Sequence, residues 1–110
     1  MVKLVGDLGG FFFSGGEPWR LVATLRDSPV LAAVVGRWES GAAVGGSSAG
    51  SEALVSSPAM LGSNGTSWGG LVYGARPHQP NTVPAPDILT YDPQGGLAIA
   101  TGFLIDAHFR

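Results

Sequence analysis

The chain has 110 residues, a net charge of −2, 45% hydrophobic side chains and only 13% charged ones. That length holds one domain, and a charged share well under the usual ~25% points to buried or partner-covered surface, not disorder. Without a cluster of Lys and Arg, nucleic acid and anionic membranes are not expected partners, and without cysteine there is no disulfide, cysteine-held metal or thiol catalysis.

Residues 1–10 read as the tail of a helix ending at Gly9-Gly10. The start is too short an apolar run for a signal peptide and is broken by Asp7. Phe11-Phe12-Phe13 has the texture of a fully buried strand, with a turn at Ser14-Gly15-Gly16. Apolar residues at Trp19, Leu21, Val22 and Leu25 predict a helix over 17–26, with Pro18 in its first turn. A second helix begins at Ser28 as N-cap and Pro29 as N1. It carries Leu31, Val34, Val35 and Trp38 on one stripe and ends at a C′ glycine, Gly41. A strand over 42–46 follows. Strand, helix, strand is the pattern of a crossover between parallel strands, whose C-terminal edge is where open α/β sheets place their sites.

At that edge lies Gly46-Ser47-Ser48-Ala49-Gly50, leading into a helix from Ser51. In a strand–turn–helix context, G-x-S-x-G holds its serine in a strained, exposed turn, and the glycines allow strand and helix to approach closely. The N–H of Ala49, at the helix start, faces a developing oxyanion. The pentapeptide alone is weak. A chain this rich in Gly and Ser yields roughly a quarter of a match by chance, so the rest of the sequence must carry the inference.

Residues 56–86 are rich in Ser, Gly and Pro and read as a long loop, with a short strand at Leu71-Val72-Tyr73. Asn64-Gly65-Thr66 reads as a turn. Residues 88–91 and 97–100 flank Asp92-Pro93-Gln94-Gly95-Gly96, a hairpin signal. Phe103-Leu104-Ile105 is a last strand, delivering Asp106-Ala107-His108. No run approaches the ~18 apolar residues of a membrane span, and a cytoplasmic protein is the expectation.

A serine nucleophile needs a base, oriented in turn by a carboxylate. Of the two histidines, His78 lies between prolines in a solvated loop, which leaves His108. The acids between serine and histidine are Glu52, Asp87 and Asp92. Glu52 lies one helical turn after Ser48 and Asp92 has a structural place at the head of its turn. Asp87 is the choice by elimination, with the other two open. Asp106 supports the histidine or lines the site.

Phe13-Ser14-Gly15-Gly16, a helix, Gly46-Ser47-Ser48-Ala49-Gly50 and Ile105-Asp106-Ala107-His108-Phe109 together resemble the serine peptidases of the cyanophycinase and aspartyl dipeptidase family. The resemblance spans residues 11–109. It implies a flavodoxin-like α/β fold of the class I glutamine amidotransferase type: a three-layer sandwich on a mostly parallel sheet, here partial, with an added β-hairpin. It implies Ser48 as nucleophile, His108 as general base and an acid between them, with Asp87 nearest the family's position. It places Gly16 and Ala49 at the oxyanion hole and Glu17 and Asp106 in the substrate pocket. The implied reaction is hydrolysis of Asp-containing peptide links through an acyl-enzyme, without metal or cofactor. The expected partner is a small peptide or cyanophycin-like substrate, with a homodimer as a further possibility.

The sequence departs from that family at two pocket positions. Pro18 and Ala107 stand where cyanophycinases have glutamine, which points away from cyanophycin itself. Residues 1–110 also read as a partial domain, lacking early strands and the helices after the histidine. A truncated or non-catalytic α/β binding module is the competing expectation.

Overall fold

The structure is a computed structural model that describes residues 2–54, 60–62, 65–82, 87–102 and 104–107. Helix α1 (Val2–Val5) is a single turn. It stops well before Gly9, because Gly6 is a poor helix former and the chain closes there in tighter turns, Asp7 N–H donating to Leu4 O. Gly10 therefore opens strand β1 (Gly10–Phe13) and ends no helix.

β1 is not buried on both faces. Phe11 and Phe13 turn into the core, whereas Phe12 is 71% exposed and its ring lies along Gly45. The connection onward runs through two helices. α2 (Pro18–Leu25) starts at its proline, as expected, and buries Val22. α3 (Pro29–Glu39) has the predicted caps. Ser28 Oγ accepts the Leu31 N–H at 3.0 Å, and past the other end Gly41 N–H donates to Trp38 O at 2.9 Å with φ +102°. Of its stripe, Val34 is fully inside and Trp38 is 40% exposed.

Strand β2 (Ala43–Gly46) then pairs with β1 in parallel, Gly10 opposite Ala43 and Phe13 opposite Gly46. Both strands end level, so the turns that follow them share one edge. Helix α4 (Ala49–Ala53) leaves the second turn and packs on α2, β1 and β2. The chain is thus an α/β protein built on a short parallel pair.

The second half departs from its sequence pattern. Strand β3 (Met60–Leu61) is followed by helix α5 (Ser67–Tyr73), so Leu71-Val72-Tyr73 is helical and not a strand. Two caps override the β preference of those residues. Thr66 Oγ1 accepts the Gly69 N–H and Asp106 Oδ2 accepts the Ser67 N–H, each at 3.0 Å. Strand β5 (Thr90–Asp92) pairs antiparallel with β3 and parallel with β4 (Arg76–Pro77).

The expected hairpin does not close. Its turn forms, with Asp92 Oδ1 accepting the Gln94 N–H, but Arg26 grips Gln94 Oε1 and Gly95 O and draws the chain aside. Leu97, Ile99 and Ala100 then donate their N–H groups to Ala53 and Leu54 at the end of α4. Leu104 and Ile105 form no strand, and Phe103 lies outside the described residues. The core joins both halves across α4: Val5, Val22 and Val34 meet Ala53, Leu54, Met60, Leu97 and Ile99. Among the described residues no helix is long and apolar enough to cross a membrane.

Candidate functional site

The site is built on the junction of β2 and α4. The parallel ladder runs one residue past β2, Ser47 N–H donating to Phe13 O at 3.0 Å. Ser48 then takes φ 51°, ψ −128°, a conformation an L-residue holds only when its surroundings over-determine it, at a cost of about 1–3 kcal/mol. Three donors do so here. The Ser48 carbonyl accepts Ser51 N–H at 2.9 Å, Glu52 N–H at 3.1 Å and Ser51 Oγ at 2.5 Å.

The flanking glycines are sterically required. A Cβ on Gly46 would stand 2.7 Å from the Gly50 carbonyl carbon, and one on Gly50 would overlap the Phe13 carbonyl. Strand and helix therefore touch backbone to backbone, as the spacing predicts. Ala49 is the first residue of α4, and its N–H has no acceptor within the helix.

The turn after β1 faces this junction. A Cβ on Gly15 would lie 3.1 Å from Ser48 Cβ and 3.5 Å from its Oγ. Gly16, at φ +142°, borders open space, and Glu17 follows as N-cap of α2, its carboxylate 3.1 Å from Arg20 Nε on the surface. From Glu17 a cleft of about 720 Å³ runs along α2 to Arg26, walled across by His78, Asn81 and Asp92.

His78 is the residue that sequence reasoning missed. It is no solvated loop histidine: its ring stacks on Trp19 with centroids 4.0 Å apart and planes 8° from parallel. Its backbone N–H donates to Tyr91 O, and among the described residues its buried Nδ1 has no hydrogen-bond partner. Its two prolines gave the only local signal, whereas the stack depends on β4 finding β5.

The acids divide. Glu52 is wholly buried on α4. Asp92 lines the cleft and holds its own turn. Asp87 is exposed beside the first turn of α5, its carbonyl against Gly69, and Asp106 is half-buried at the same helix end on Ser67 N–H. His108 lies outside the described residues. The structure thus gathers Ser48, Ala49, Gly15, Gly16 and Glu17 at one edge, with Glu52 one turn into the helix, and gathers Asp87 and Asp106 at α5. Among the described residues no group of three or more His, Cys, Asp or Glu is placed to hold a metal ion.

Fold and site together define an α/β protein with a strained serine at a strand–turn–helix junction. No family model matches the chain.

Proposed function

We propose that the chain is a serine hydrolase resembling cyanophycinase, acting on Asp-containing peptide links on a partial flavodoxin-like framework, with the Ser48 turn as its nucleophile elbow. One observation carries the reading: Ser48 is a non-glycine residue at φ 51°, ψ −128°, pinned between glycines that admit no Cβ. Such strain is retained where a side chain must be presented in one direction.

In this reading His108 takes the Ser48 hydroxyl proton as Oγ attacks the peptide carbonyl. The N–H groups of Gly16 and Ala49 receive the oxyanion. As the tetrahedral intermediate collapses, the C–N bond breaks and the imidazolium returns its proton to the leaving amine. Water, deprotonated by the same imidazole, then releases the acid from the acyl-enzyme. The cleft from Glu17 to Arg26 accommodates the peptide beyond the bond attacked.

Labelling with a fluorophosphonate tests this. The wild-type chain is expected to take one label, Ser48→Ala none, and the rate to rise with pH through the ordinary imidazole range near ~6.5. A rate flat from about pH 5 to 8 argues against an imidazole base. The open face of the sheet, where Phe12 is 71% exposed, favours a second reading, a truncated or non-catalytic module. A folded sample that takes no label supports that one.

A further inference from the structure

We propose that Arg26 anchors the C-terminal carboxylate of a short peptide lying in the cleft along α2; that the ligand is a peptide rests on the serine-hydrolase reading above. Trp19, Val22 and Ala23 of α2 line that cleft together with Arg26, the C-cap of the helix. They recur at i, i+3, i+4 and i+7, so they form one stripe about 10 Å long at ~1.5 Å per residue. At ~3.3 Å each, about three residues of extended chain span that length. The stripe is apolar up to its last member. The facing wall supplies Asn81, Thr82 and Gln94, side chains that exchange hydrogen bonds with peptide amides.

Arg26 is the cation of this cleft that no acid matches. Its guanidinium donates to Gln94 Oε1 at 2.6 Å and to Gly95 O at 2.5 Å. Both acceptors are neutral, and among the described residues no carboxylate forms an ion pair with it. The other cation of the cleft, Arg20, is already paired with Glu17 at 3.1 Å. The two grips fix the half-buried guanidinium while using two of its five N–H donors. What remains is a held planar fork of the kind that binds carboxylates. Asp92 lines the same cleft, its Oδ1 on the Gln94 N–H. Its charge opposes a doubly charged anion such as phosphate more than a singly charged carboxylate. A peptide that ends at Arg26 gains charge-assisted bonds, whereas a C-terminal amide brings no charge to meet the guanidinium.

The test is calorimetric titration of the full chain carrying Ser48→Ala, which keeps the ligand from being hydrolysed. The ligand is an acetylated tetrapeptide of one aspartate followed by three alanines, prepared as the free acid and as the C-terminal amide. The acid is expected to bind about 10- to 100-fold more tightly than the amide. Adding Arg26→Gln is expected to bring the acid down to the affinity of the amide. A merely structural role for Arg26 would weaken both ligands alike and leave their ratio unchanged, which overturns the assignment. So does equal binding, or no binding, of acid and amide before that substitution. Should Arg26→Gln not fold, Arg26→Lys keeps the charge without the planar fork and is expected to reduce the ratio; an unchanged ratio overturns the role of Arg26. Acetate that displaces the acid at the concentration of the peptide itself shows a site for any carboxylate and overturns the peptide as ligand. Wild-type protein that takes no fluorophosphonate label overturns the hydrolase reading, whereas a labelled wild type without the preference for the acid overturns only the role of Arg26.

Discussion

Ser48 carries its backbone strain whether or not its hydroxyl reacts, so strain and chemistry are separable by substitution. Ser48→Ala and Ser48→Gly both remove the hydroxyl, but only glycine takes φ 51°, ψ −128° without strain. Strain of about 1–3 kcal/mol outweighs the roughly 0.5–1 kcal/mol that glycine forfeits in chain entropy. Ser48→Gly is therefore expected to be more stable than Ser48→Ala by about 1 kcal/mol, a rise of roughly 4–8 °C in Tm for a domain this small. Thermal unfolding of the two variants measures it, and a glycine variant that melts below the alanine one removes the case for stored strain. This geometry was legible from spacing, because the collision of a Cβ at Gly46 or Gly50 is a local matter. The burial of Glu52 and the stack of His78 on Trp19 were not, because each depends on which distant segment arrives.

The same division holds for elements. α3 could be read end to end because Ser28, Pro29 and Gly41 are its own neighbours and its stripe repeats at helical spacing. α5 could not. Its residues 71–73 favour a strand, and one of its caps, Asp106, comes from 39 positions away. The hairpin failed for the same reason, since Arg26 reaches the 94–95 turn from 68 positions upstream. If the Asp106 bond to Ser67 N–H stabilises α5, Asp106→Ala should cost about 1 kcal/mol. The loss should show as faster hydrogen exchange at Gly69 and Gly70 and a lower Tm. Asp106→Asn, which keeps an acceptor oxygen, should lie close to wild type. Equal exchange in all three proteins means that Thr66 alone starts the helix.

At the scale of the molecule, the parallel pair β1–β2 and the mixed sheet β3–β5–β4 share no strand, yet their side chains meet in one core along α4. Holding Ser48 in strain requires that core to fold as a unit, because a turn costing 1–3 kcal/mol relaxes once its supports open independently. Met60 tests the coupling. It belongs to β3, is 0% exposed and packs in the same cluster as Val22 and Val34 of the first half. Met60→Ala is expected to cost about 2–5 kcal/mol, a large part of the 5–15 kcal/mol typical of a domain. With Trp19 and Trp68 replaced by Phe, because Trp19 stacks on His78 and Trp68 lies on α5, Trp38 on α3 reports the first half by fluorescence, whereas far-UV circular dichroism reports all helices. If the halves are one unit, both signals shift together to a lower midpoint on Met60→Ala, with a single transition before and after. If fluorescence keeps its wild-type midpoint while the dichroism signal splits, the sheets unfold separately, and the Ser48 turn then rests on the parallel pair and α4 without the second sheet.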